Sequence, residues 1–244
     1  MRHLLVAERL SKTFGGVRAV RDLSFAVGDG EILGLIGPNG SGKTTAFNLV
    51  TGLLAPDAGR VWLDGAEITG LPPHAVCARG IARTFQLVRP FPHLTALENV
   101  LVGRVYGRAP QRRLSTAIDE AAALLAFVGL AGKEHVAARH LTLVDRKRVE
   151  LARALATRPR VLLLDEFMAG LTPQEVAAAM AMVRRIRDGG VAIVMIEHLV
   201  HAVLGTSDRV VVLNAGQAIA EGPPEAVARD PKVLEAYLGD AGGA

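Results

Sequence analysis

Gly37-Pro38-Asn39-Gly40-Ser41-Gly42-Lys43-Thr44 carries the spacing G-x-x-x-x-G-K-S/T. Phosphate oxygens need convergent donors that no side chain obstructs, and glycines at these positions let successive backbone N–H groups turn toward one anion. The amine of Lys43 would reach the β and γ phosphates of a nucleotide. The hydroxyl of Thr44 would sit on Mg²⁺, and Thr45 joins the set expected around the nucleotide. A chance match in a chain of this length is expected on the order of 0.01 times, so the loop points to nucleotide binding rather than to an ordinary glycine-rich turn. Further along, the apolar run Val161-Leu162-Leu163-Leu164 ends in Asp165-Glu166. At the end of a strand, the first carboxylate can support hydrated Mg²⁺ and the second can take a proton from an attacking water. Glu166 is therefore the candidate general base. The plainer reading of the pair is a local cap or ion pair.

Such groups act only if the backbone presents them in fixed positions. Ile32 to Ile36 is a continuous apolar run suited to a strand covered on both faces, and a helix is expected from about Lys43, which gives the order strand, loop, helix. The earlier alternation of Leu23, Phe25 and Val27, followed by Gly28-Asp29-Gly30, predicts a half-buried strand and a turn. From about Leu87 to Ala156 the period becomes helical, with Ile118, Leu124, Leu125 and Val128 expected on one buried side. Thr172-Pro173-Gln174-Glu175 offers an N-cap, a proline at the first helical position and a capping-box glutamate. That helix should bury Val176, Met180, Val183 and Ile186, stop at Gly189-Gly190, and lead to a strand over Val191 to Ile196, a βαβ unit in a parallel sheet. Arg209 to Leu213 and Gln217 to Ala220, joined by Asn214-Ala215-Gly216, read as a hairpin.

The 244 residues, 50% of them hydrophobic and 21% charged, describe a globular chain and exclude a disordered or collagen-like one. No apolar stretch approaches the roughly 18 to 20 residues that span a bilayer. The first residues, Met1 to Arg9, lack the pattern of an export signal, so a cytoplasmic protein is expected. The single cysteine, Cys77, cannot form an intrachain disulfide and reads as a packing residue. A net charge of +4 permits a nucleic-acid partner, yet no basic stretch is interleaved with aromatics as a stacking platform would require, and none is expected.

The order of these features resembles the ATP-binding cassette (ABC) family over nearly the whole chain. The resemblance rests on Phe14, the phosphate loop, Gln86 in Thr84-Phe85-Gln86, the segment Leu141 to Asp145, Asp165-Glu166 and His198 after Val194-Met195-Ile196-Glu197. It implies an α/β fold: a P-loop NTPase, RecA-like core with a mainly parallel sheet, an N-terminal antiparallel β subdomain and an inserted α-helical subdomain. The implied division is a core over residues 1–86 and 158–220, a helical subdomain over 87–157 and a helical tail over 221–244. The resemblance also implies that Phe14 stacks on adenine, that Gln86 touches Mg²⁺ and the attacking water, and that His198 contacts the γ phosphate. The metal set would then be Thr44, Gln86 and Asp165, with ATP and Mg²⁺ as cofactors.

Family members sandwich two ATP molecules between head-to-tail subunits, so that a signature segment, usually Leu-Ser-Gly-Gly-Gln, completes the opposing site. Here it reads Leu141-Thr142-Leu143-Val144-Asp145. Thr142 retains a hydroxyl for the opposing nucleotide, but Leu143 and Val144 replace glycines that would let backbone approach a phosphate, so this half-site is expected to be weakened. The following Arg146-Lys147-Arg148 is expected to be solvated, as charge runs usually are. Phe167 stands where the family often has proline, and Ala169-Gly170-Leu171-Thr172 lacks the aspartate common in the next inter-subunit loop.

Arg83-Thr84-Phe85-Gln86, Ala169-Gly170-Leu171-Thr172-Pro173 and the tail from Gly222-Pro223-Pro224-Glu225 through Ala236-Tyr237-Leu238-Gly239 are similar to the branched-chain amino acid importer subgroup. That resemblance implies transmembrane permease subunits, a second ATPase subunit that is often non-identical, with a homodimer as the alternative, an extracytoplasmic solute-binding protein, and a peripheral position on the cytoplasmic face of the membrane. It also implies that the helical insertion, roughly Leu87 to Arg139, receives the permease; the apolar stretch Leu87 to Phe91 reads either as that contact or as internal packing. The rival readings are a soluble cassette ATPase acting on nucleic acid or ribosomes, and a regulatory nucleotide-binding module.

Overall fold

The computed structural model describes residues 3–238; Met1, Arg2 and the end of the tail from Gly239 lie outside the described residues. In chain order the elements are β1 (His3–Phe14), β2 (Val17–Gly28), β3 (Ile32–Ile36), α1 (Lys43–Val50), β4 (Ala58–Leu63), β5 (Ala66–Glu67), α2 (Pro73–Arg79), β6 (Ile81–Arg83), α3 (Ala96–Tyr106), α4 (Leu114–Phe127), a 3₁₀ turn (Ala138–His140), α5 (Leu143–Ala156), β7 (Val161–Asp165), α6 (Pro173–Asp188), β8 (Ala192–Ile196), α7 (Val200–Thr206), β9 (Arg209–Asn214), β10 (Gln217–Gly222), α8 (Pro224–Val227) and α9 (Pro231–Leu238). They fall into two compact units, Met1–Pro73 with Met168–Ala244, and His74–Phe167.

In the first unit, β1 pairs antiparallel with β2 on one side and β4 on the other, in the order β2-β1-β4-β5. The alternation of Leu23, Phe25 and Val27 does put these three side chains in the core. The parallel ladder is centred on β3, which pairs with β8 (Ile32↔Ile193) and β9 (Leu33↔Arg209). Every residue of β3 and β8 is buried, as the uninterrupted apolar runs require of strands covered on both faces. β10 returns antiparallel to β9 through Ala215 and Gly216, both at positive φ, the geometry of a tight hairpin turn. Helix α6 starts with the capping box expected of Thr172 and Glu175 and ends at Gly189. Its buried face is Val176, Ala179, Val183 and Ile186, with Met180 at the edge.

In the second unit, β6 and β7 form a parallel pair (Ile81↔Val161), and α3, α4 and α5 pack against one another. The helices occupy the predicted stretch, but the buried side of α4 differs from expectation. Ile118 is exposed and Leu124 only half-buried; the stripe that packs is Ala117, Ala121, Leu125 and then Val128. Small side chains let the helix axes approach, so alanines occupy the contact that hydropathy alone assigned to bulkier residues. The same closeness appears at Gly103 of α3, where a β-carbon would lie 2.2 Å from the Arg153 carbonyl oxygen of α5.

Gly103→Ala should therefore drive α3 away from α5 and cost about 1–3 kcal/mol of stability, the usual range for overpacking. The check is a urea titration in which the midpoint falls while the slope is unchanged.

Candidate active site

The phosphate loop connects buried β3 to α1 within the first unit. Gly37 and Gly42 hold φ of 152° and 101°. A β-carbon on Gly37 would stand 2.0 Å from the Leu213 carbonyl oxygen, and one on Gly42 would stand 2.4 Å from that of Ala19. Glycine is thus enforced at both ends of the loop by neighbouring main chain. Gly40, at φ 74°, lies in open space at the tip. The hairpin turn after β9 ties the arrangement together: Gly216 N–H donates to the Ser41 carbonyl (3.0 Å), and the Gly216 carbonyl accepts from Arg21 N–H (2.8 Å).

The N-cap of α1 is Gly42, which offers no side-chain acceptor, so the helix dipole and the first turn face the loop without a capping side chain. Thr44 is exposed and Thr45 half-buried. Lys43 is buried, and its ammonium donates to the carbonyls of Gly37 (2.8 Å) and Pro38 (2.9 Å) and to Ser41 Oγ (3.3 Å). These contacts gather positive charge in the hollow of the loop. Glycines enforced by neighbouring main chain, a buried cation held on the loop and the start of a helix fit a polyphosphate. Asn39, exposed, and Pro38 border a cavity of about 740 Å³ whose far side is α9. From α9, the Tyr237 phenol forms a hydrogen bond with the Gly37 backbone while burial pushes its pKa up. Phe14, at the end of β1, is 45% exposed, with the Lys12 ammonium 5.8 Å from its ring centre. His198 is exposed just after β8, and the buried Glu197 before it accepts Met168 N–H at 2.7 Å.

The second unit holds the acids. Asp165 is fully buried at the end of β7, and Arg83 Nη2 approaches its Oδ2 to 2.5 Å. The Arg83 guanidinium also lies 5.0 Å from the Phe85 ring centre. Asp165 N–H donates to Thr84 Oγ1 at 3.3 Å, which joins the acidic strand end to the segment carrying Gln86. The Gln86 side-chain amide then donates to Glu166 Oε2 at 2.8 Å. Glu166 sits at φ 50°, a left-handed conformation that costs a non-glycine residue of order 1–3 kcal/mol and persists only where neighbours over-determine it. Among the described residues no group of three or more His, Cys, Asp or Glu could hold a metal. A Mg²⁺ ion carried mainly by phosphate oxygens and water would need no such group.

At the signature segment, Thr142 is exposed and caps α5, its Oγ1 accepting from Asp145 N–H at 3.2 Å while its hydroxyl also bonds the Asp145 carboxylate. Leu143 is 51% exposed. Asp145 is buried and pairs with Lys133 at 2.6 Å. Burial alone would raise the Asp145 pKa, but hydrogen bonds from Lys133 and Thr142 hold it below the usual carboxylate value. The expectation of a solvated Arg146-Lys147-Arg148 run fails at its middle member. Lys147 is buried, donating to the carbonyls of Phe167 (2.9 Å) and Glu166 (3.3 Å).

A family profile for ABC transporters matches residues 20–169, more than half of the chain. This protein belongs to the ABC transporter family. A second profile, for the branched-chain amino acid ATP-binding cassette transporter, matches residues 219–242. The cassette is 39% identical over 253 residues to the high-affinity branched-chain amino acid transport ATP-binding protein BraF of Pseudomonas aeruginosa, covering 98% of this chain and 99% of that protein. It is 39% identical over 251 residues to LivG of Salmonella typhimurium, with 98% of each covered. Among solved structures, the ADP conformation of MJ1267, an ATP-binding cassette of an ABC transporter, superposes with a TM-score of 0.88 at 33% identity over 98% of this chain and 100% of that one. The cassette is thus an ATP-binding and ATP-hydrolysing subunit that powers a transporter. No helix among the described residues is long and apolar enough to cross a membrane.

Several side chains of the cassette's site escaped sequence reasoning: Lys147, Glu150, Lys133 and Tyr237 as partners, and Arg83 as the counterion of Asp165. Arg83 stands in the Arg-Thr-Phe-Gln string, but nothing in its sequence neighbourhood names a partner on β7. Arg83→Met should leave the Asp165 carboxylate buried without its counter-charge and cost on the order of 3–5 kcal/mol. Chemical denaturation of the purified chain reads this directly.

Proposed function

We propose that this cassette drives a membrane importer for branched-chain amino acids or closely related small solutes, working on the cytoplasmic face of the membrane beneath transmembrane permease subunits. The observation that carries the reading is the match of residues 219–242 to a branched-chain amino acid profile, added to the near-full-length similarity to BraF and LivG. The transported solute is expected to touch other subunits, among them an extracytoplasmic binding protein. The exposed Leu87 and Phe91 are suited to packing against a permease.

In this reading the main-chain N–H groups of Gly37 to Thr45, with Lys43, bind the triphosphate, and Phe14 stacks on the adenine. Mg²⁺, when bound, supplies charge neutralisation at the phosphate oxygens, with Thr44 as ligand and Gln86 and Asp165 supporting its hydration shell. Glu166 accepts the proton of the attacking water; Gln86, hydrogen-bonded to it, orients that water; His198 supports the γ phosphate. The charged Asp145 in the first turn of α5, beside the side chains of Leu143 and Val144, opposes docking of a second subunit's ATP against this signature segment. The intact phosphate loop and Glu166 are accordingly paired with a partner subunit bearing a glycine-containing signature.

Glu166→Gln should lower ATP turnover by about 10² to 10⁴ fold, the span of general-base contributions, while MgATP affinity changes by less than about 3-fold. Equal turnover of the two forms would remove Glu166 as the base. For the partner and solute, the chain is to be purified with its co-purifying membrane subunits and placed in liposomes. Stimulation of ATPase activity by leucine, isoleucine or valine with the binding protein is expected. Stimulation by urea or amides alone would reassign the solute, and a purified homodimer as active as the complex would remove the unlike partner.

A further inference from the structure

Helix α5 touches both segments whose tips meet at the Gln86–Glu166 hydrogen bond, and it does so through two buried charges one turn apart. Lys147 and Glu150 are 6% and 3% exposed, and their i,i+3 spacing puts them on one side of the helix. Lys147 Nζ holds the carbonyls of Phe167 and Glu166 at 2.9 and 3.3 Å. Glu150 accepts the backbone N–H groups of Phe85 and Arg89, which bracket Gln86 in the chain. Arg153, on the next turn, adds a bond to the Arg89 carbonyl at 3.1 Å and lies 3.5 Å from Glu150. A buried charge is costly unless fully partnered, and a stabilising ion pair would have been partner enough. Here the partners include main-chain groups on either side of the two reacting side chains, so the charges fix loop backbone. Glu166 is the member whose left-handed φ needs such a constraint.

We propose that Lys147 and Glu150 are paired positioning residues, and that α5 sets the separation of the Gln86 amide from the Glu166 carboxylate. This rests on the reading of Glu166 as the general base. Because α5 begins in the signature segment at Thr142 and Asp145, a displacement of its first turn reaches both loops at once.

The test uses the full chain in the complex that co-purifies with it. Lys147→Met and Glu150→Leu should each lower kcat by about 10 to 100 fold, with KM for ATP within about 2-fold, as expected when geometry rather than binding is lost. Lys147→Arg, which still donates to two carbonyls, should return to within about 3-fold of the parent. In a Gln86→Ala background, Glu150→Leu should cost almost nothing more, since the residue it positions is gone. An equal fractional loss in both backgrounds would mark a general packing role and overturn the proposal. If Glu150→Leu proves too unstable to purify, Glu150→Gln, of similar volume with one acceptor oxygen kept, enters the same cycle, and the same comparison decides. Unchanged kcat in Lys147→Met and Glu150→Leu alongside a normal loss in Glu166→Gln overturns the positioning role alone. Full turnover by Glu166→Gln overturns the base assignment and the positioning role with it.

Discussion

Main chain pressed against main chain governs the nucleotide end of this cassette. With 2.0 Å from a β-carbon at position 37 to the Leu213 carbonyl, and 2.4 Å from one at position 42 to that of Ala19, the loop can close only if both residues are glycine. Its shape is therefore dictated by β9, which pairs with the fully buried β3, and by β2, which pairs with β1. On the closed loop, Lys43 fixes a positive charge by bonding to the loop's own carbonyls. A phosphate recognised by main chain demands little side-chain chemistry. It demands that the core beneath the loop be rigid.

The acidic end of the protein is organised differently, by buried charges. Asp165 is neutralised by Arg83, and Lys147 and Glu150 take main-chain partners on the Glu166 and Gln86 segments. Each of these charges would be costly alone in a low-dielectric setting, so each enforces the presence and position of its partner. The left-handed backbone of Glu166 is affordable under that enforcement. At the start of the same helix the departures of the signature segment form a self-consistent substitute: Thr142 caps, Asp145 favours the helix dipole, and Lys133 answers Asp145. That first turn is satisfied by its own residues, whereas a glycine-bearing signature stays open to an external phosphate.

Local patterns in the chain determined much of this protein. The Thr172–Glu175 capping box and the Asn214-Ala215-Gly216 turn specify their conformation through neighbours within a few residues, and the G-x-x-x-x-G-K-T spacing and the apolar runs of β3, β7 and β8 mark their elements in the sequence. All of them fold as their spacing requires. Periodicity was a poorer guide on α4, where Ile118 faces outward and Ala117 and Ala121 pack, because close helix approach selects small side chains over hydrophobic ones. The tertiary structure alone decided which charges are buried. Nothing local distinguishes Lys147 from its neighbours Arg146 and Arg148, or pairs Arg83 with an aspartate on another strand. The fate of an ionised side chain is set by the dielectric and partners that distant segments bring to it, and only the assembled fold supplies these.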